Sequence, residues 1–566
     1  MIKMNKIDVE RKKIILICLF LSIFIVGTVF IFIIPFNVKI MYNKTVKTVD
    51  GVTIAFNVFE PKRAGLNKKA IILGHGIMSN KEMLKDYAIE FAAAGFVAVP
   101  FDFRGHGQST GELDIDLLTN DINAIISYLN SRSDINTSTL GYFGFSMGGF
   151  PGIEIVSEST DFQCFIGAGT RLPQGKRKGN STNPLNILMI VGRFDEVINT
   201  NELKENLSYY VGDSPSEIDV NRLYGSFQDG NASMIYLDDN TNHVLGNWDP
   251  DFIREARNFV LNTFSDVKPV DENFYVQTRF IFLFLQLFGG FGFFALIIDP
   301  LCQLILEKRE ENTSIFDIEN ETIPNIGGKT ILYSILFAFP GIVIFVPIIL
   351  ILFLATAGFI SALLFGQAFG FLVFLWRIGK NKNTKLREIL KKPFKTSKNT
   401  LIKQFLLGGI LAILLTLIIY LSGGLNYIGM IPSITKIPWI LIYFAIFFFI
   451  FMIFGLVFHE IIQNKFEKGV KPRIKVSLII FGTLFLYMFT ILLILSIIMG
   501  SFFYFGSFIP LAIPIFLMIS FISTFIYEKT GNLIPVALVN TLFFTLLICT
   551  ISPYESGIGF ILGFFH

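Results

Sequence analysis

The stretch "YFGFSMGGF", residues 142–150, decides how the rest of the chain is read. Before it, "STLGYFGF" is a β-branched and aromatic run of the kind that fills a buried strand. After it, "GGFPGIEIVSES" can start a helix. Ser146 sits at the junction. A serine on so sharp a strand-to-helix turn is held in a strained backbone, and its neighbours must be small; Gly144 and Gly148 meet that need. The Gly-x-Ser-x-Gly pattern is weak alone and counts only if other residues complete a nucleophilic centre.

Those residues follow in the required order of serine, acid and histidine. "NILMIVGRFDEVI" contains a buried-strand run, Ile187 to Val191, ending in a turn that carries Asp195. A carboxylate just past a parallel strand is where an open α/β sheet places its site. "ASMIYLDDNTNHVLG" is a further strand followed by a polar loop with His243, the only histidine of the globular stretch after Ser146. His243 is therefore the expected general base, and Asp195 would orient its imidazole and stabilise the charged form. Asp238 and Asp239 are rival acids, expected to be solvated at the end of the histidine's own strand. The segment from Asp251 to Phe264 reads as a closing amphipathic helix.

Upstream, "KKAIILGHGIMSN" is a strand followed by a glycine turn. Two backbone N–H groups would stabilise a developing oxyanion: Met147, directly after the nucleophile, and Ile77, in the loop after this early strand. His75 is expected to shape that loop. In "FVAVPFDFRGHGQSTG", Asp102, Arg104 and His106 look like a loop-bracing hydrogen-bond cluster, with His106 a remote second base.

Together, "GHG" at 74–76, "DFRGHGQS" at 102–109, "GFSMGG" at 144–149, "GRFDEVI" at 192–198 and His243 resemble an α/β-hydrolase of the serine aminopeptidase and lysophospholipase-like group, over residues 46–265. The resemblance implies an eight-stranded, mostly parallel sheet flanked by helices, and Ser-His-Asp chemistry through an acyl-enzyme. Phe145 stands where many relatives carry histidine, which leaves the triad intact. The position of the family's lid holds "GAGTRLPQGKRKGNSTNP", polar and basic and unlike an apolar flap. It reads as a solvated loop or, more sharply, as a contact for anionic headgroups.

Composition sets this domain in an apolar chain. Of 566 residues, 52% are hydrophobic and only 16% charged, with a mean hydropathy of +0.60; soluble domains carry about 25% charged residues. The boundaries read as 1–39, a basic tail and signal-anchor helix; 40–270, the globular domain; and 271–566, a polytopic α-helical membrane domain. The run Ile14 to Ile34 is long enough to span a bilayer and lacks a small-residue cleavage site. Eight further spans are expected near 280–300, 329–353, 355–376, 404–422, 438–458, 475–499, 507–526 and 533–551. With the N-terminus inside, the inner loops hold 23 Lys and Arg while the short outer loops and the tail hold only Lys436. The N-terminus is thus expected to be cytoplasmic and the globular domain extracytoplasmic, in a multi-pass protein of the cell membrane.

Residues 450–550 faintly resemble the CAAX-protease and bacteriocin-processing family of intramembrane metalloproteases. The paired glutamates of that family would fall at Phe454 and Gly455 and its later histidine at Asn540, so the metal chemistry is missing. Asp299, His459 and Glu460 are expected at inner interfaces. No cysteine or histidine spacing suits zinc, and no metal or cofactor is expected. Only Cys164 of the four cysteines lies in the globular domain, so it forms no disulfide there. A net charge of +3 is unremarkable, and no nucleic-acid partner is expected. The sequence points to a membrane-bound serine hydrolase acting on a small-molecule or lipid-like acyl substrate at the bilayer. The alternative is a transport or lipid-handling protein whose hydrolase domain processes or gates cargo.

Overall fold

The computed structural model describes residues 2–62, 65–306 and 322–558. Among the described residues, nine strands form one sheet: β1 (Val38–Lys47), β2 (Thr53–Pro61), β3 (Lys68–Gly74), β4 (Val97–Phe101), β5 (Ile135–Phe145), β6 (Phe162–Ala168), β7 (Asn186–Gly192), β8 (Leu223–Tyr224) and β9 (Ser233–Asp238). Their order is β1-β2-β4-β3-β5-β6-β7-β9-β8. The pairs from β4 through β9 are parallel, while β1, β2 and β8 join antiparallel at the edges. Parallel strands covered on both faces need continuous apolar runs, and every residue of β4 and β7 is buried. The resemblance implied eight strands. The ninth, β8, lies in the connection between helix Thr200–Val211 and β9 and pairs Leu223 with Met234 at the outer edge.

Helices Lys85–Ala93, Leu118–Asn130, Gly149–Glu158 and Pro250–Thr263 flank the sheet. The last is the expected closing helix. Asp249 caps it by accepting the N–H groups of Asp251 and Phe252, Pro250 supplies the first-turn φ, and Phe252, Ile253, Ala256, Phe259 and Val260 form its buried stripe.

Among the described residues, eight helices are long and apolar enough to cross a membrane, or nine if the bent pair Ile323–Leu336 and Ala338–Ile351 is one span. That pair occupies the span expected at 329–353. Its 47° bend falls at Phe337, just before Pro340. Proline removes the N–H that would bond back to residue 336 and crowds that carbonyl, so the helix breaks on its N-terminal side. Lys308 and Arg309, two of the expected inner cations, lie outside the described residues.

One end of the helical bundle is bonded to the α/β domain through several connecting segments. Ser433 N–H donates to Gly107 O (2.9 Å), Tyr554 N–H to Gly105 O (2.7 Å) and Leu113 N–H to Tyr554 O (3.0 Å). Trp248 Nε1 donates to Tyr427 O (3.0 Å). Charges are buried at the same junction: Arg279 pairs with Asp86 at 2.7 Å, and Lys85 Nζ donates to Leu425 O and Asn426 Oδ1. At the other end of the bundle, Lys13 and Lys529 flank Asp299, Lys392 meets Glu460, and Arg473 meets Glu528. His459 is buried against Gln463. Phe454 packs on Phe371 and Phe458, and Asn540 donates to Ser523 Oγ at 2.7 Å.

Candidate active site

β5 enters the turn through six buried residues, Leu140 to Phe145, and Ser146 follows with φ of +49°, in the left-handed region that a non-glycine residue enters only under constraint. The constraint comes from backbone packed on both sides. A Cβ on Gly144 would lie 2.6 Å from Gly149 Cα, and one on Gly148 would overlap Gly74 O of β3. Tyr142 Oη closes the turn by donating to Gly148 O at 2.9 Å. The start of helix Gly149–Glu158 is thereby pressed against the end of β3, which leaves Ser146 at the apex.

Three strand ends converge on that apex. His243, five residues past β9, places Nε2 3.0 Å from Ser146 Oγ. Asp195, three residues past β7, lies 3.0 and 3.1 Å from His243 Nδ1 through its two carboxylate oxygens. Asp195 Oδ1 also accepts the N–H groups of Val197 and Ile198, both at 2.9 Å, which fixes the carboxylate in its own turn. Asp195 and His243 side chains are 1% and 5% exposed, so their polar contact is shielded from water. The arrangement fits a histidine that donates from Nδ1 to the acid and accepts at Nε2 from the serine hydroxyl.

Gly76 brings the loop after β3 alongside: a Cβ there would stand 3.1 Å from Ser146 Cβ. Ile77, next in the chain, stands in the cavity wall, and Met147 is the first residue beyond Ser146. Met78 completes the loop with φ of +55°. His75 is a brace: its Nε2 accepts Phe103 N–H at 3.1 Å, which leaves Nδ1 to donate to Gly76 O at 2.7 Å. Burial pushes its pKa down to about 4. His106 is also buried and held neutral by burial, with Nδ1 at 3.0 Å from Arg104 O. It stands against His75 rather than Ser146.

The 102–109 turn is braced as expected, but with a partner the sequence did not suggest. Asp102 accepts Lys81 N–H at 2.7 Å, Lys81 Nζ at 2.6 Å and Gln108 N–H at 2.9 Å. Arg104 is forked between Asp121 and Asp50. Asp238 departs from expectation. It is buried, not solvated, because its Oδ1 accepts Asn240 and Thr241 N–H groups and folds the loop that carries His243. Glu196 was not anticipated either. Its Oε2 accepts His243 N–H at 3.4 Å, and burial raises its pKa.

The start of the basic loop at 169–185 abuts the site, where a Cβ on Gly169 would stand 3.2 Å from His243 Cε1, but its basic residues are bonded elsewhere. Arg177 is tied to the carbonyls of Val156 and Phe162, and Lys176 pairs with Glu154. Cover comes instead from helix Phe503–Thr530 of the bundle. The Phe503 ring stands edge-on to His243 with centroids 6.2 Å apart, and Asn242 Nδ2 donates to Gly506 O at 3.2 Å. Below, Ser146 and His243 open into a cavity of about 110 Å³ whose walls come from both halves of the chain. The α/β domain contributes Ile77, Phe145 and Trp248; the bundle contributes Leu511, Phe516 and Leu547 among others. No alternation of residues near Ser146 could have announced a wall supplied from more than 200 positions away.

Residues 65–218 match the family described as serine aminopeptidase, S33. With the sheet order above, that match makes this segment an α/β-hydrolase segment. It includes Ser146 and Asp195 and ends before His243 and before the long apolar helices. Among curated proteins, the chain is 33% identical over 124 residues to an uncharacterized 31.7 kDa protein of Escherichia coli, covering 21% of this chain and 42% of that one. It is 29% identical over 106 residues to a polyketide transferase of Penicillium crustosum, covering 18% and 34%. The chain thus spans well under half the length of these relatives. Among solved structures, an esterase of Pyrococcus furiosus is similar with 17% identity and a TM-score of 0.32, covering 41% of this chain and 93% of that one.

Proposed function

We propose that this chain is a membrane-embedded serine hydrolase that cleaves an ester, thioester or small amide through an acyl-enzyme. One observation carries the reading: Ser146 Oγ, His243 Nε2 and His243 Nδ1 with Asp195 form an unbroken relay of contacts at 3.0 Å, beside the loop of Ile77 and the amide of Met147. His243 takes the serine proton as Oγ attacks the acyl carbon. The charge that develops on the carbonyl oxygen is met by the N–H groups of Ile77 and Met147. His243 then gives its proton to the leaving group as that bond breaks. Water repeats the cycle on the acyl-enzyme, with His243 again as base and then as acid toward Ser146. Asp195 holds the imidazole in the required tautomer and stabilises its charged form.

The helices span the bilayer with the N-terminus cytoplasmic, which puts the α/β domain on the extracytoplasmic side. The distribution of Lys and Arg supports this, since the end of the bundle away from the α/β domain carries the paired cations Lys13, Lys392, Arg473 and Lys529. A fluorophosphonate probe is expected to label the full-length protein. Ser146→Ala should abolish labelling, and Asp195→Asn should slow it by about 10³–10⁴-fold. Labelling that persists in Ser146→Ala would refute the assignment.

A further inference from the structure

Building on Ser146 as the nucleophile, we infer that the helical domain is the acyl-binding half of the enzyme. The cavity beneath Ser146 holds the single apolar chain of a lipid-like acyl ester or thioester, while the leaving group departs toward water.

The lining is graded in polarity. Ser79, Asn247 and Ser507 share the upper walls with the reacting groups, whereas Leu511, Phe516, Phe544 and Leu547 make the deeper ones. On helix Phe503–Thr530 the lining positions are 503, 507, 508, 511, 512, 515 and 516, one continuous face. That face runs about 20 Å along the axis at 1.5 Å per residue. Helix Leu533–Ile551 adds Phe544, Leu547, Ile548 and Ile551, again one face. The cavity is therefore an elongated slot parallel to the helices.

Its volume of about 110 Å³ compares with the ~150 Å³ of an apolar protein cavity that stays dry and takes up benzene. A space of that size leaves no room for a second chain. A polar or charged substituent reaching the deeper walls would lose its hydration with only apolar side chains around it. A chain of methylenes gains on entry.

The covering helix is seated on the site. A Cβ on Gly506 would overlap the Glu196 carboxylate, which itself supports the backbone of His243. The glycine lets the helix approach closely enough for Phe503 to reach the imidazole.

The acyl half occupies the slot because it alone stays attached to the enzyme. As the Ser146 Oγ–acyl bond forms, the bond to the leaving group breaks, and that group takes the former serine proton from His243. It must then give its place to water. A slot walled by apolar helices is no exit for an alcohol or thiol, but it suits a chain retained until water supplies the carboxylate oxygen and returns a proton to Ser146.

The test is a series of p-nitrophenyl esters, acetyl to palmitoyl, hydrolysed by the full-length protein in lipid nanodiscs. kcat/KM is expected to rise by up to roughly fourfold per added methylene until the slot is full. Ala512→Trp should shift the optimum to shorter chains and Phe516→Ala to longer ones; a shared folding defect cannot move them in opposite directions. If both variants label with fluorophosphonate and keep the wild-type ratio of long- to short-chain kcat/KM, the acyl slot is wrong and the hydrolase stands. If the wild type labels no serine at position 146, the nucleophile assignment fails first. Should a variant not fold, wild type decides alone: dodecyl fluorophosphonate should inactivate at least about tenfold faster than its methyl counterpart, and equal rates overturn the slot.

Discussion

Ser146, His243 and Asp195 could be chosen from the sequence because the chemistry demands an order along the chain and each follows a recognisable strand. Residues that touch these three through space left no such trace. Glu196 is one position from Asp195, yet its role depends on Gly506 and on the backbone of His243. Lys81 braces Asp102 only because two loops meet. The buried histidines give this scale a measurable consequence. His75 titrates at about 4, and His106 lies well below the ordinary 6.5, both mainly through burial. In the unfolded chain both bind a proton below about pH 6.5. Between that pH and their folded values the unfolded state holds more protons, so stability is full above pH 6.5 and falls on acidification. Each fully differing group contributes about 1.4 kcal/mol per pH unit. Glu90 and Asp121, pushed up to about 7 and about 6 by burial, tilt the curve the other way. The readout is therefore the difference between wild type and His106→Asn, which keeps a donor for Arg104 O. Chemical denaturation at pH 7.5 and 5 should show a shallower acid loss in the variant; equal slopes would mean His106 is charged in the fold.

At the scale of elements, strand and helix assignments were legible where periodicity is strong: β7 and the helix Pro250–Thr263 lie where the pattern put them. β8 was not, because two residues pairing at an edge carry no period. The cover of the site was not legible either. The sequence drew attention to the basic loop at 169–185 as the place of a lid, and that loop turns out to be tied down by its own hydrogen bonds. The covering helix looks like any other apolar span, and what distinguishes it is the fit of Gly506 to Glu196. Gly506→Val would force those groups apart, an overpacking that costs about 1–3 kcal/mol. Glu196→Ala in the same chain should recover much of that loss by vacating the space. A double-mutant cycle in detergent, read by thermal or chemical unfolding, measures the coupling. Additive losses would show that the two residues do not share this contact.

For the molecule as a whole, the two halves share one frame of reference, so the orientation of either fixes the other. The domain is held at one end of the bundle by backbone hydrogen bonds to Ser433 and Tyr554 and by ions buried at the junction, above all Arg279 with Asp86, each 1% exposed. Breaking a buried pair by removing one partner costs about 3–5 kcal/mol, so the domain does not swing free of the helices to meet the opposite membrane face. By the asymmetry of membrane insertion, the far end with its paired cations is expected on the cytoplasmic side. The prediction uses two single cysteines in a chain whose four native cysteines are serine. Val49, 91% exposed on the β1–β2 turn, reports the α/β domain. Lys391, exposed at the end of the short helix Leu386–Lys391, reports the far end. Lys436, in a loop expected outside, is unsuitable because it is buried and donates to the carbonyls of Thr550 and Ser552. In intact cells an impermeant maleimide should modify Val49→Cys and spare Lys391→Cys until the membrane is permeabilised. The reverse pattern would place Ser146 in the cytoplasm and leave the cavity beside it, which is internal to the fold, where it is.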